Sequence, residues 1–216
     1  MKSMKKVIAT GLAAIMMIGT LTGCGKSFDA AEYVTSCLDL ITKGETKQYV
    51  KTTGRTEEEA QQDYESNIDE MMDAMGDLAI SDELSDDYRE MYKNLYKNSK
   101  YKVTSAEKMK DEDGYTVTIE IEQMTGFFSG VQDALMEQAS DYVNSFTDAE
   151  TVPTEDEMNE AIYQMMLDLL NDKLADITYN DPQTITIEVV GEDGVYSITD
   201  EGYQAIDAAL LDTSDM

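Results

Sequence analysis

Apolar residues in the first half of the chain recur every three to four residues, which is the spacing of amphipathic helices. Asp29 can cap the first helix with Glu32 reaching back to the cap, and Phe28 and Tyr33 occupy the positions of a hydrophobic staple. Gly44 suits the residue that follows the end of that helix. Four helices are predicted in this region, over residues 29–43, 45–51, 56–75 and about 85–98.

From about residue 101 the period of the apolar residues changes to two, which indicates β-strands. Val117, Ile119 and Ile121 alternate with threonine and glutamate after an acidic turn at 111–114. A second alternating segment, 185–198, surrounds a similar turn, and Thr-Val-Thr-Ile-Glu in the first segment is echoed by Thr-Ile-Thr-Ile-Glu in the second. The pattern predicts two β-hairpins, which either share one antiparallel sheet or belong to two related halves.

Helical spacing returns between the hairpins and after them. A helix is predicted over 127–146 with an apolar stripe that includes Val143, another begins with a capping box at Thr154, and a last one follows Thr199. Because helices on one side of a shared sheet would cover both hairpins, we predict a single α+β domain over 29–216, with roughly six helices packed on an antiparallel sheet. In outline this resembles cone-shaped nuclear-transport-factor-like domains, from which the interleaved order of helices and hairpins departs.

A positively charged start precedes an apolar run at the N-terminus. Lys2, Lys5 and Lys6 stand before residues 7–21, which carry no charge. Fifteen residues rise only about 22 Å as a helix, short of the roughly 30 Å hydrocarbon core of a bilayer. The segment is therefore predicted to be a removable secretory signal and not a membrane span.

This segment ends in Leu21-Thr22-Gly23-Cys24, which resembles the lipobox of bacterial lipoprotein precursors: aliphatic, small, small, cysteine. The resemblance implies cleavage after Gly23 and a diacylglycerol, with acyl chains such as palmitate, on the thiol of Cys24. It divides the chain into a signal peptide (1–23), a lipidated cysteine with a short tether (24–28) and an extracytoplasmic domain. Two acyl chains suffice for stable attachment, so the protein is expected at the outer face of the cell membrane. The alternative is an ordinary secreted protein with a chance cysteine.

The chain that remains after the predicted cleavage is strongly acidic. Without the three lysines of the first 23 residues, 45 acidic side chains face 13 basic ones, a net charge of −32. Such a surface repels nucleic acid and anionic lipid, because binding to either depends on neutralising phosphates. The charge indicates either solubility and spacing from an anionic envelope or a cationic partner.

Three short segments in the first third of the chain resemble small surface lipoproteins of Gram-positive anaerobes. They are residues 33–40, Lys43-Gly44-Glu45 together with Tyr49, and residues 53–60. Those lipoproteins belong to families of unknown function. The resemblance therefore implies an envelope location and supplies no activity.

One neighbourhood of the sequence is both basic and aromatic. Tyrosines four residues apart would form a ridge on a helix, and the lysines between them could bind an anionic wall polymer while the rings stack on sugars. The alternative is a solvated lysine face over a packed tyrosine stripe. The candidate patch consists of Tyr88, Tyr92, Lys93, Tyr96 and Lys97.

The sequence offers little for catalysis or metal binding. Histidine is absent, which removes the commonest general base and metal ligand. The acidic runs at 57–59 and 155–157 fall in predicted first turns, where carboxylates cap helices, and this favours capping over a calcium site. Cys37 lies at helical spacing among apolar residues and is predicted to be a buried hydrophobic residue. No catalytic residue, metal or cofactor is predicted.

These observations favour a membrane-anchored, non-catalytic binding or scaffolding module of the cell envelope. Its partner would be an envelope protein or a wall polymer. The alternatives are an envelope hydrolase that uses a pair of carboxylates, and a purely structural spacer. A deep pocket with two close carboxylates would favour the enzyme, whereas an open groove or a flat face would favour the module.

Overall fold

The computed structural model describes residues 19–20, 28–74, 80–147 and 152–215 of the chain. Within these residues it contains seven helices and seven strands. The helices are α1 (Ala30–Lys43), α2 (Thr46–Thr53), α3 (Glu57–Ala74), α4 (Asp82–Tyr96), α5 (Val131–Asn144), α6 (Glu155–Leu174) and α7 (Asp200–Leu210). The strands are β1 (Gly19–Thr20), β2 (Lys100–Lys108), β3 (Gly114–Glu122), β4 (Met124–Thr125), β5 (Thr178–Tyr179), β6 (Gln183–Glu192) and β7 (Val195–Ile198).

The two predicted hairpins form one antiparallel sheet. Its strand order is β1-β7-β6-β3-β2, so the hairpin β2–β3 is joined to the hairpin β6–β7 by pairing of β3 with β6. The two similar sequences lie side by side, with Val117 opposite Ile187 and Ile119 opposite Ile185. The predicted α+β class is confirmed, and of the two arrangements left open by the sequence the shared sheet is the one observed.

Neither edge of this sheet is a long, unbroken strand, because β1 has two residues and β2 is interrupted. At one edge, Gly19 and Thr20 of the predicted signal segment pair with Tyr196 and Val195 of β7. At the other edge, β2 has a bulge between Val103 and Ser105. Lysines at the start and end of β2 are exposed, which is a common means of discouraging an edge strand from pairing with another chain.

Helices cover one face of the sheet. The apolar side chains of β3 point to this face, where Val117, Ile119 and Ile121 are fully buried. Helices α1 and α7 pack against the sheet on this side, and the buried residues of the hairpins and the helices form one continuous cluster. On the opposite face the side chains are polar, and Thr184 and Thr186 are exposed. A two-sided pattern of this kind is what strict alternation in the sequence predicts.

Several helix boundaries agree with the capping signals in the sequence. The Asp29 side chain accepts a hydrogen bond from the Glu32 amide at 3.0 Å, and Gly44 ends α1 with a left-handed φ of 68°. A side chain at Gly44 would also approach the Tyr64 ring, since a Cβ there would lie 3.0 Å from Tyr64 Cε1. Thr154 forms the predicted capping box of α6.

The helix predicted over 127–146 begins later than expected, at Val131. Gly126 and Gly130 both have positive φ, 80° and 72°, and they hold the intervening residues in a turn. Phe127 and Phe128 are buried in that turn and pack edge to face. The turn follows β4, which pairs with β5 in a small second sheet that was not predicted. The predicted end of the third helix at Gly76 lies outside the described residues.

Buried polar groups lie between the helices of the N-terminal region. The Tyr49 hydroxyl donates to Asp63 Oδ2 at 3.0 Å, and Arg55 donates to Asp63 Oδ1 at 2.6 Å. The Tyr203 hydroxyl is buried and has no hydrogen-bond partner among the described residues. Removing a hydrogen-bond donor from a buried carboxylate lowers the stability of the folded chain. A buried hydroxyl without a partner already lowers that stability, so removing the hydroxyl loses no hydrogen bond.

We therefore predict opposite outcomes for two Tyr→Phe substitutions. Tyr49→Phe is expected to lower the free energy of unfolding by about 2 kcal/mol, because the hydrogen bond is to a charged group. Tyr203→Phe is expected to leave stability unchanged or slightly raised, because it removes a hydroxyl with no described partner. Urea denaturation of the two variants beside the parent chain measures both effects, and equal losses would contradict this account.

Candidate functional site

The first described residue after the predicted lipidation site is Phe28, since Gly23 and Cys24 lie outside the described residues. The Phe28 ring stacks on the ring of Tyr196, with centroids 3.9 Å apart and planes 7° from parallel. Tilted contacts join it to Tyr33 at 5.4 Å and to Tyr115 at 5.5 Å. The predicted staple between Phe28 and Tyr33 is thus present, and it is part of a larger aromatic cluster that includes two strands of the sheet.

This aromatic cluster lies at the end of the sheet where both hairpins turn. Tyr115 follows the turn of the first hairpin, and Tyr196 follows the turn of the second. Asp113 connects the two turns: its side chain accepts from the Tyr196 hydroxyl at 3.1 Å, and its carbonyl accepts from the Gly191 amide at 2.6 Å. The chain therefore enters the folded region at the hairpin-turn end of the sheet and is held there by packing.

The predicted basic and aromatic patch does not form as proposed. Tyr88, Tyr92 and Tyr96 are buried, with exposures of 0%, 6% and 3%. The hydroxyl of Tyr88 donates to the Tyr163 carbonyl at 2.8 Å, and burial raises the pKa of Tyr92 above its ordinary value. These rings face the core and cannot stack on a sugar. The three tyrosines therefore form the packed stripe that the sequence offered as the alternative.

The two lysines of the predicted patch have different surroundings. Lys93 is mostly covered and lies 3.2 Å from carboxylate oxygens of both Glu65 and Glu90. It joins Arg89, which also contacts Glu65, in an ion-pair network between α3 and α4. Lys97 is exposed. The network explains why basic residues recur on α4 without a ligand, because they pair with acids of the neighbouring helix.

An open cavity of about 430 Å³ lies between the starts of α4 and α6. It is lined by Ile80, Ser81, Asp156, Glu157 and Glu160. Three of its five lining residues carry carboxylates.

Two of the cavity's carboxylates are engaged in helix capping. Glu160 accepts hydrogen bonds from the amide and hydroxyl of Ser81. Glu157 accepts from the amide and hydroxyl of Thr154 at 2.8 and 2.9 Å, and these bonds hold its pKa below the ordinary value. A carboxyl whose pKa is lowered stays ionised at neutral pH and is a poor general acid. Within the described part of the chain, no group of three or more His, Cys, Asp or Glu side chains is arranged to hold a metal ion.

An apolar surface on α5 was not expected from the sequence. The helical spacing predicts Val143 in the packed stripe of this helix, but its side chain is 52% exposed. The side chain of Met136 is 54% exposed. Val152 is 68% exposed, and these three are the exposed large apolar side chains among the described residues. All three belong to the α5–α6 helical hairpin. The helical period alone could not reveal this, because it does not show how much of an apolar face is covered.

The aromatic cluster gives a prediction for stability. Replacing Phe28 by alanine is expected to lower the free energy of unfolding by about 2 kcal/mol, because it removes a half-buried ring and its stacking on Tyr196. Phe28→Tyr keeps the ring and serves as the matched control, with little expected change. Chemical denaturation distinguishes them, and a Phe28→Ala chain as stable as the control would mean that the ring does not join the tether to the fold.

A second prediction concerns Cys37, which is fully buried as expected. Burial raises the pKa of its thiol to about 12, so the reactive thiolate is scarce at neutral pH. A thiol reagent is therefore expected to leave Cys37 unmodified in the native chain and to modify it after denaturation in urea. Mass spectrometry of the peptide that contains Cys37 reads the result, and fast modification of the native chain would contradict it.

Comparison with known proteins adds one structural relative. No family model matches the chain, and no curated protein matches it. Among solved structures, the chain is similar to the crystal structure of ycdA from Bacillus subtilis, described as a putative lipoprotein, with a TM-score of 0.55 and 18% sequence identity. The match covers 85% of this chain and 56% of ycdA, so the chain spans little more than half the length of that protein. At this identity the likeness shows a related fold. None of the described helices has the length and hydropathy needed to cross a bilayer.

Proposed function

We propose that the chain is a lipid-anchored lipoprotein at the outer face of the cell membrane, where it acts as a non-catalytic binding or scaffolding module of the cell envelope. The lipobox-like sequence before Cys24 supports the anchor. The fold likeness to ycdA, itself described as a putative lipoprotein, agrees with this proposal. The partner would be another envelope component.

The observation that carries the proposal is the packing of Phe28 in the sheet. Phe28 lies four positions after Cys24, and at about 3.5 Å per residue the aromatic cluster would lie within roughly 15 Å of the lipid. A tether this short, with a packed end, leaves little freedom for the domain to swing. The two hairpin turns would then lie nearest the membrane, where the lipid anchor would hold their acidic residues against repulsion from the headgroups, and the opposite end of the sheet would be presented outwards.

The length of the sheet determines how far that outer end extends. Strand β3 has nine residues and begins beside the aromatic cluster, so its far end lies roughly 27 Å from the hairpin turns. The turn with Phe127 and the start of α5 follow β3 in the chain. A module held in this orientation would carry its partner-binding surface away from the headgroups, which suits a protein that recruits another envelope component.

The cavity between α4 and α6 is the feature relevant to the hydrolase alternative. A hydrolase with two carboxylates needs one carboxyl that can give up a proton at neutral pH. In this cavity the Glu157 carboxylate accepts hydrogen bonds from Thr154, and the Glu160 carboxylate accepts hydrogen bonds from Ser81. Their engagement in capping supports the binding module over the enzyme. The exposed apolar surface of α5 supports it over a structural spacer, which would have no need of such a surface.

The anchor is tested by metabolic labelling. Cells that express the full chain are given a radioactive or alkyne-bearing fatty acid, and the chain is expected to take up the label and to sediment with membranes. Cys24→Ser is expected to abolish both, whereas Cys37→Ser, the matched control at the second cysteine, is expected to change neither. Label retained by the Cys24→Ser chain would overturn the proposal.

A further inference from the structure

The exposed apolar residues of α5 lie on one side of that helix. At about 100° per residue, Met136 and Val143 are within roughly 20° of each other, and Ala139 lies about 60° to one side. Both large side chains are more than half exposed, and Ala139 is half-buried between them. Together Met136, Ala139 and Val143 form an apolar strip, here called the α5 strip, that α6 does not cover.

Helix α5 has few packing contacts with the rest of the described fold. Its main contacts among the described elements are with α6, and its buried residues are Val131 and Leu135, both in the first half of the helix. The second half contains none. The α5 strip therefore lies on a part of the helix that no other described element covers.

Acidic residues border the α5 strip. Asp133 and Glu137 lie about 60° and 100° round the helix from Met136, on the side away from Ala139. Both are exposed, and α5 contains no basic residue. Neither carboxylate has an ion-pair partner among the residues that the structure describes. Like charges four residues apart on a helix are destabilising, so α5 carries an electrostatic cost that no neighbouring cation offsets.

These two features together specify a partner. An apolar strip about one heptad long, with the small residues Ala139 and Ser140 between its two large ones, can receive the side-chain ridge of a second helix. The acids beside it would attract lysine or arginine along that helix. A second copy of this chain does not fit, because its own α5 would bring like charges together in a chain of net charge −32.

From this juxtaposition we infer that α5 is a docking site for a basic amphipathic helix of an envelope protein, with the apolar face of that helix on Met136, Ala139 and Val143 and its basic residues beside Asp133 and Glu137. The inference deepens the proposed binding function by naming the partner's chemistry. Binding of such a helix needs no lipid, whereas the envelope origin of the partner rests on the proposed function.

The test uses the full-length chain in detergent and three synthetic helices of about 18 residues, long enough to be helical alone. The first has a leucine stripe and lysines on its polar face. The second keeps the stripe with glutamates in place of lysines, and the third keeps the lysines with the leucines dispersed. Fluorescence anisotropy at physiological salt measures binding. The first helix is expected to bind, and the other two are expected to bind at least about tenfold more weakly.

Two double variants locate the site. Met136→Ser with Val143→Ser is expected to weaken binding of the first helix roughly tenfold or more, because two apolar side chains are lost from the contact. Asp133→Asn with Glu137→Gln is expected to weaken it about three- to tenfold. The control, Asp86→Asn with Asp87→Asn on α4, removes the same charge from exposed positions elsewhere and is expected to change binding less than about twofold. Circular dichroism checks that all variants keep their helices.

Several results would overturn the inference. One is that the first helix does not bind, and another is that the striped and dispersed lysine helices bind equally well. A third is that the Met136/Val143 variant binds the first helix as tightly as the parent chain. The last is equal losses of binding in the α5 and α4 charge variants, which would show only a general attraction of cations to an acidic chain. Failure of this test and failure of the anchor are distinguishable. A chain that takes up lipid but does not bind the helix would overturn the docking site alone. A chain that binds the helix but takes up no lipid would overturn the anchor alone.

Discussion

The antiparallel pairing of β3 with β6 is the contact on which the rest of the structure depends. A two-stranded hairpin is marginal by itself, and each hairpin of this chain has an apolar face that must be covered. Pairing Val117 with Ile187 and Ile119 with Ile185 joins those faces into one surface. That surface is wide enough for α1 and α7 to pack on. The same pairing brings Tyr115 and Tyr196 to one end of the sheet, where Phe28 can stack.

Local signals in the sequence predicted the elements well because each one reflects chemistry within a few residues. The caps at Asp29 and Thr154 and the alternation of β3 are of this kind. The surroundings of α4 were not predictable in the same way. Its tyrosine hydroxyls reach partners far along the chain, 75 residues away for Tyr88 and 111 residues away for Tyr96. Periodicity shows that a helix has a face, but the identity of the element that covers this face depends on tertiary contacts.

The distribution of charge gives the two halves of the chain different surfaces. In the first half, basic residues are paired with acids of neighbouring helices, as in Lys51 with Glu32 and Arg89 with Glu65. Exposed pairs of this kind contribute little each, about 0–1 kcal/mol, but they neutralise the surface locally. Residues 111–216 contain a single basic residue, Lys173. The α5 acids Asp133 and Glu137 form no ion pair with any described residue, and the apolar strip therefore has a charged border of one sign.

The irregular edge of β2 bears on the proposed anchor, under which copies of the chain would share a membrane. Molecules confined to a plane meet far more often than in solution, so an exposed edge strand would invite neighbours to join their sheets laterally. The bulge between Val103 and Ser105 breaks the straight run of backbone groups that such joining requires. Lys102, which is exposed, would add repulsion between approaching copies. If the chain is anchored as proposed, this edge would keep its copies separate and discourage their assembly into fibres.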